Sequence, residues 1–149
     1  MIGIGSDHGG YVLKEEIKKH LEKREIAYKD YGCDAEEACD YPVYAKEVAH
    51  AVASGKCTEG ILICGTGIGI SIAANKVNGI RAALCHDCFS AKAAKEHNQA
   101  NILAMGARVI GAGLALSITD VFLNTNFSHE ERHTKRIQMI EEAKESSIL

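Results

Sequence analysis

Residues 61–74 read Ile-Leu-Ile-Cys-Gly-Thr-Gly-Ile-Gly-Ile-Ser-Ile-Ala-Ala. An apolar strand runs into a single thiol, a loop with glycine at every second position, and then an apolar helix. Gly65, Gly67 and Gly69 let the backbone turn tightly with its N–H groups aimed at one spot, and the helix that follows adds its positive end. Such a turn holds an anion. Cys64 stands at the strand tip beside it, where the same field favours thiolate over thiol and makes the sulfur usable as a base or nucleophile. The plainer alternative keeps Cys64 as a small buried hydrophobe and the glycines as close-packing positions.

The spacing excludes two sharper readings. A phosphatase-type loop needs arginine six residues after the cysteine, and position 70 is Ile. A dinucleotide fingerprint needs G-x-G-x-x-G, whereas this loop is G-x-G-x-G and the earlier glycine cluster puts His8 at the third glycine position.

Outward from this stretch, short apolar runs near 1–6, 26–31, 60–64, 80–85 and 101–105 alternate with helical patterns. Leu13/Ile17/Leu21, Tyr44/Val48/Val52 and Ile70/Ala74/Val77 recur at helical spacing. An alanine-rich helix is predicted over 88–97 and another over 112–123. Ser128 with Glu131 forms a capping box for an extended last helix reaching about 146. The alternation predicts an α/β fold, a doubly wound, Rossmann-like sheet of five parallel strands with helices on both faces, in an order such as 2-1-3-4-5. In such sheets ligands gather at the carboxyl ends of the strands. That edge carries Asp7-His8-Gly9-Gly10 after the first strand and Cys64–Gly69 after the third, side by side in a 2-1-3 order. Asp7 can also serve as a helix N-cap, and the two roles can coexist.

The chain has 149 residues, 46% of them hydrophobic, with a single proline, Pro42, and no repeat or low-complexity run. One domain spanning 1–149 is expected. A net charge of −3 argues against a nucleic-acid binder. No apolar run approaches about 18 residues and the N-terminus lacks a basic leader, so no membrane association and a cytoplasmic location are expected. The six cysteines are expected to be reduced. Cys85-His-Asp-Cys88 has C-x-x-C spacing but no second ligand pair, and no other His/Cys/Asp cluster suggests a metal or cofactor.

The last helix is thinly apolar, through Ile137, Met139, Ile140 and Ala143, and is expected to pack on a partner subunit. Arg132 and Arg136 lie four apart on one face, flanking His133 and Lys135, an arrangement suited to a phosphate. Glu130, Glu131 and Glu141 allow a salt-bridged, solvated face instead.

Taken in order, Gly5-Ser6-Asp7-His8-Gly9-Gly10, Asp40-Tyr41-Pro42, Cys64 through Lys76, Glu96-His97-Asn98, Gly106-Ala107-Arg108-Val109 and Arg132-His133 with Arg136 resemble the type B ribose-5-phosphate isomerases. That group includes allose-6-phosphate and galactose-6-phosphate isomerases, and the likeness spans essentially the whole chain. It implies a metal-free aldose–ketose isomerase interconverting ribose 5-phosphate and ribulose 5-phosphate through an enediolate. By the resemblance Cys64 moves the proton between C2 and C1, and His97 opens the furanose ring. Asp7, Tyr41 and Thr66 handle hydroxyls, and Asn98 contacts the sugar. His8, Arg108, Arg132 and Arg136 form the phosphate group of residues. The N–H groups from Gly65 through Gly67, Ile68 and Gly69 to Ile70 stabilise the enediolate oxygen. Where part of the family carries a glutamate base, this chain has Ile70, which places it in the cysteine-using branch. A six-carbon sugar phosphate as substrate and a non-catalytic sugar-phosphate or nucleotide sensor remain the competing readings.

One conflict of geometry yields a further expectation. His97 and Asn98 end the helix before the fifth strand, at the amino edge of a right-handed parallel unit, while Cys64 lies at the carboxyl edge. A site using both is expected to be shared across a symmetric homodimer, with pairing into a tetramer left open.

Overall fold

The computed structural model describes residues 1–145. Five parallel strands, β1 (Ile2–Ser6), β2 (Tyr28–Asp30), β3 (Glu59–Cys64), β4 (Ala82–Leu84) and β5 (Ile102–Gly106), form one sheet in the order β2-β1-β3-β5-β4. Helices α1 (Tyr11–Lys23), α2 (Tyr41–Ala53), α3 (Ile68–Ala74), α4 (Cys88–Asn98), α5 (Ala112–Asn124) and α6 (Glu131–Glu145) complete the described chain, with a 3-10 turn over His8–Gly10. The predicted helix end at 146 lies outside the described residues.

Alternation along β3 sorts the core into two layers. Ile61 and Ile63 face Leu13, Ile17 and Leu21 of α1, Ala91 and Ala94 of α4, and Ile118 and Phe122 of α5. Leu62 and Cys64 face Ala45, Val48, Ala49 and Val52 of α2 and Ile70 and Ala74 of α3. Both faces of the sheet are covered, which is what a run of consecutive apolar residues requires. Each fully buried Ile or Leu contributes roughly 1.5–3 kcal/mol, so these strands hold the sheet's centre firmly.

The order of the last two strands differs from the sequence expectation: β5, not β4, pairs with β3. Burial explains it. Every residue of β5 is buried, whereas β4 is three residues long and none of them is. A strand that is apolar on both faces belongs inside the sheet, and the short, half-exposed one takes the edge. Asn75 covers part of that edge, its Oδ1 accepting from the Ala82 N–H at 2.8 Å and its Nδ2 donating to Ala82 O at 2.9 Å.

Two helix boundaries also differ. α3 ends at Ala74, so Val77 falls in the turns that follow and is not on its apolar face. The capping box with Glu131 does not form: Ser128 Oγ accepts from the Glu130 N–H at 3.2 Å and meets His133 Nδ1 at 2.6 Å. α6 is thinly anchored as expected, with His133 and Ile137 buried but Met139 and Ile140 57% and 43% exposed. Among the described residues no helix is long and apolar enough to cross a membrane.

Candidate active site

Register brings the first two loops together. Ser6 pairs with Ile63, so the chain leaving β1 meets the chain leaving β3. The 3-10 turn lies so close to β3 that a Cβ on Gly10 would stand 2.4 Å from Ile63 O, and one on Gly9 would stand 3.3 Å from the Gly65 nitrogen. Asp7 caps this turn, its Oδ1 accepting from the Gly10 N–H at 3.1 Å. His8 Nδ1 accepts from the Cys39 N–H at 3.2 Å, which puts the proton of a neutral ring on Nε2 and makes that nitrogen a donor.

Cys64 is buried at the end of β3, and its Sγ accepts from the Gly67 N–H at 3.1 Å. That bond depends on Gly67, whose φ of +76° is open to glycine at little cost. Thr66 Oγ1 accepts from the Ile68 N–H at 3.2 Å, leaving its hydroxyl proton free to donate. Two of the six loop N–H groups expected to face an oxyanion are thus spent on Cys64 and Thr66. The Ser71 N–H makes the bond to Gly67 O at 3.2 Å, so Gly69 and Ile70, in the first turn of α3, have N–H groups with no intrahelical acceptor. A helix of seven residues adds little dipole, and the anion-holding capacity of the loop rests on these individual donors.

Tyr41 and Arg108 close the rim. A Cβ on Gly69 would lie 2.5 Å from Tyr41 Cζ and 2.7 Å from its hydroxyl oxygen, so the phenol at the start of α2 rests on the first turn of α3. The N–H groups of Ala107 and Arg108 donate to the carbonyls of Cys64 and Gly65 at 2.9 and 3.0 Å, and the Arg108 guanidinium lies over Gly65. Asp7, His8, Tyr41, Cys64, Thr66 and Arg108 therefore converge on one rim at the carboxyl edge of the sheet.

The remaining expected residues gather elsewhere. His97 and Asn98 end α4 just before the amino end of β5, beside Gly60, whose N–H donates to Asn101 O at 2.9 Å. From Gly60 to Cys64 is four strand steps, about 13 Å along the sheet. His97 stacks on His133, ring centroids 4.5 Å apart and planes 34° from parallel. Burial first, and then the charges of His97, Arg132 and Arg136 against a counteracting Glu130, hold His133 below its ordinary value of 6.5. Arg132 and Arg136 lie on α6 one residue before and three residues after His133. Arg132 Nε donates to Glu130 Oε2 at 2.7 Å, and that arginine keeps the Glu130 carboxyl below the usual range. Glu141 instead pairs with Arg81 at 2.8 Å, and the Arg81 Nε donates to Asn98 O at 3.1 Å. Two groups thus stand at opposite edges: a thiol with a carboxylate, a phenol and a hydroxyl, and His97 with Asn98, stacked on His133 of α6.

Sequence reasoning missed His86, whose Nε2 accepts from the Gly106 N–H at 3.0 Å and steadies the turn carrying Arg108. It sits inside the C-x-x-C spacing, and that spacing has a structural origin. Cys85 ends in the core, its thiol pushed up by burial to about 11, while Asp87 caps α4 by accepting from the Ser90 N–H at 2.7 Å.

Residues 2–140 match the Ribose/Galactose Isomerase family. The chain is similar to ribose-5-phosphate isomerase B of Escherichia coli (strain K12), 48% identical over 139 residues that make up 93% of each chain. It is similar to D-erythrulose-4-phosphate isomerase of Pectobacterium atrosepticum, 47% identical over 127 residues, 85% of this chain and 84% of the other. The solved structure of Clostridium thermocellum ribose-5-phosphate isomerase B superposes with a TM-score of 0.96 at 53% identity, covering 98% of both chains.

Proposed function

The chain belongs to the Ribose/Galactose Isomerase family, and from that premise we propose that it interconverts ribose 5-phosphate and ribulose 5-phosphate at a site completed by a second copy of itself. The observation that carries the reading is the Cys64 thiol held by the Gly67 N–H on the same rim as Asp7, Tyr41 and Thr66. A proton beside a carbonyl is far less acidic than a thiol, so a base acts usefully only where the developing enediolate oxygen is stabilised as it forms. Cys64 takes the C2 proton and returns it to C1. The Gly69 and Ile70 N–H groups meet the oxyanion, and Asp7, Thr66 and Tyr41 orient the hydroxyls and carry their protons.

His97 opens the furanose, delivering a proton to the ring oxygen as the C1 hydroxyl loses its own. Asn98 holds the sugar, and Arg132 and Arg136 join His8 and Arg108 on the phosphate through charge-assisted bonds. The separation of His97 from Cys64 along the sheet supports a symmetric homodimer in which each site takes its thiol from one subunit and its histidine from the other. A phosphorylated sugar is too charged to cross a bilayer unaided, so the enzyme works in the cytoplasm, where its substrate is held.

Incubating the protein with ribose 5-phosphate, allose 6-phosphate, galactose 6-phosphate and erythrulose 4-phosphate, and following the aldose–ketose change, tests this reading. The highest kcat/KM is expected on ribose 5-phosphate. Higher values on another sugar would move the substrate, and binding without turnover of any of them would make the protein a sensor.

A further inference from the structure

The segment between β2 and α2 holds two thiols that the proposed reaction does not use. Cys33 and Cys39 flank five exposed residues without regular structure and line one cavity together. The two ends of this segment are held very differently. Cys33 is buried, its N–H donates to Ser6 O at 3.0 Å, its carbonyl accepts from the buried Lys14 ammonium at 2.6 Å, and its sulfur lies 3.9 Å from Ser6 Oγ. Lys14 is in turn paired with Asp30 at 2.8 Å. Cys39 is half-buried, and its backbone N–H donates to His8 Nδ1 at 3.2 Å, with its sulfur 4.0 Å from the same nitrogen. A cavity of about 270 Å³ lined by Cys33, Ala38, Cys39 and Tyr44 gives the segment room to move.

We propose that Cys33 and Cys39 form an oxidisable pair that closes to a disulfide on reaction with a low-molecular-weight disulfide, and that closure loosens the hold on His8. The more accessible Cys39 thiolate attacks one sulfur of the small disulfide, forming a mixed disulfide and expelling one small thiolate. Cys33 then attacks Cys39 Sγ and expels the second half of the mixed disulfide. The protein loses two electrons and two protons, and one small disulfide becomes two small thiols.

A disulfide needs its sulfurs about 2.05 Å apart, so the two thiols must be drawn together across the cavity they line. Cys33 is pinned by Ser6 and Lys14, which leaves the Cys39 end to move. Its backbone tie is the one to His8. Closure therefore draws the Cys39 N–H off Nδ1 and frees the ring whose other nitrogen the proposed function sets on the phosphate. Formation of the pair stands apart from that function; the coupling to His8 rests on it.

Oxidised glutathione is the probe. After treatment, alkylation and digestion, mass spectrometry of the full-length protein is expected to find a peptide linked through Cys33 and Cys39. Calorimetry with inorganic phosphate, run on Cys64→Ala protein so that oxidation of the catalytic thiol cannot contribute, is expected to show binding weakened about two- to tenfold after oxidation. Dithiothreitol should restore it, and Cys33→Ser in the same background should abolish the response. Oxidation elsewhere with Cys33 and Cys39 still free would overturn the pair, and a linked pair with unchanged phosphate binding would overturn the coupling. If the reduced protein binds no phosphate, the reading of His8 falls and the coupling with it, while the linked peptide still decides the pair.

Discussion

At the scale of single residues, one reaction is divided between two side chains, and the loss of each leaves a different activity behind. Cys64 is buried and its hydrogen bond comes from a backbone N–H, so Cys64→Ala removes little more than the sulfur. It should lower kcat by at least about 10²-fold, the scale of positioned acid–base catalysis, and stop exchange of the C2 proton with solvent while sugar-phosphate binding persists. Proton exchange at the parent rate would show that another group is the base. His97 has a different signature: His97→Asn should lose most activity on cyclic ribose 5-phosphate and keep much more on an aldose phosphate too short to close a furanose. Rates on the two substrates measure this directly, and equal losses would remove His97 from ring opening. The meeting of Cys64 with Asp7 on one rim was legible in the sequence because each lies at a strand end beside a glycine turn, whereas Thr66 was named only through the family resemblance. The bond from Cys39 to His8 and the stack of His97 on His133 were not legible, since each joins residues more than thirty positions apart and no local pattern encodes it.

Among elements, two glycines that look alike in sequence separate stability from catalysis. A methyl on Gly10 would meet a strand carbonyl at 2.4 Å, an obstacle that cannot step aside. Gly10→Ala should cost about 3 kcal/mol or more, seen as a lower denaturation midpoint. A methyl on Gly69 would meet the Tyr41 ring at 2.5 Å, a side chain 38% exposed and free to swing outward. Gly69→Ala should therefore cost only about 1 kcal/mol, while kcat/KM falls at least tenfold as the phenol leaves the rim. A variant with full activity would show that Tyr41 has no part in the site. Strand identity was readable from apolar runs, and the two-sided cover of the sheet followed from them. The exchange of β4 and β5 was not, because chain order is silent on which strand takes the edge; burial along each strand decides it. The length of α3 was overread for a similar reason, since Val77 keeps helical spacing after the helix has ended.

For the molecule as a whole, the sheet is both scaffold and separator. Its parallel strands gather Asp7, His8, Cys64 and Arg108 at one edge, and the same right-handed connection through α4 that orders β5 delivers His97 and Asn98 to the other. This opposition was legible from the sequence, since it follows from chain direction alone. α6 extends it: His133 packs on His97, Arg132 and Arg136 lie on the same helix, and the apolar Met139 and Ile140 are exposed. A second copy related by a two-fold axis would cover that helix and bring each thiol to the other subunit's histidine. Mixing inactive Cys64→Ala and His97→Asn proteins tests this most directly. After random exchange of subunits half the dimers are mixed, each with one intact site of two, and activity on ribose 5-phosphate should return to about a quarter of the parent level. No recovery despite demonstrated subunit exchange would mean that each site is built within one chain, and the account of a divided site would be wrong.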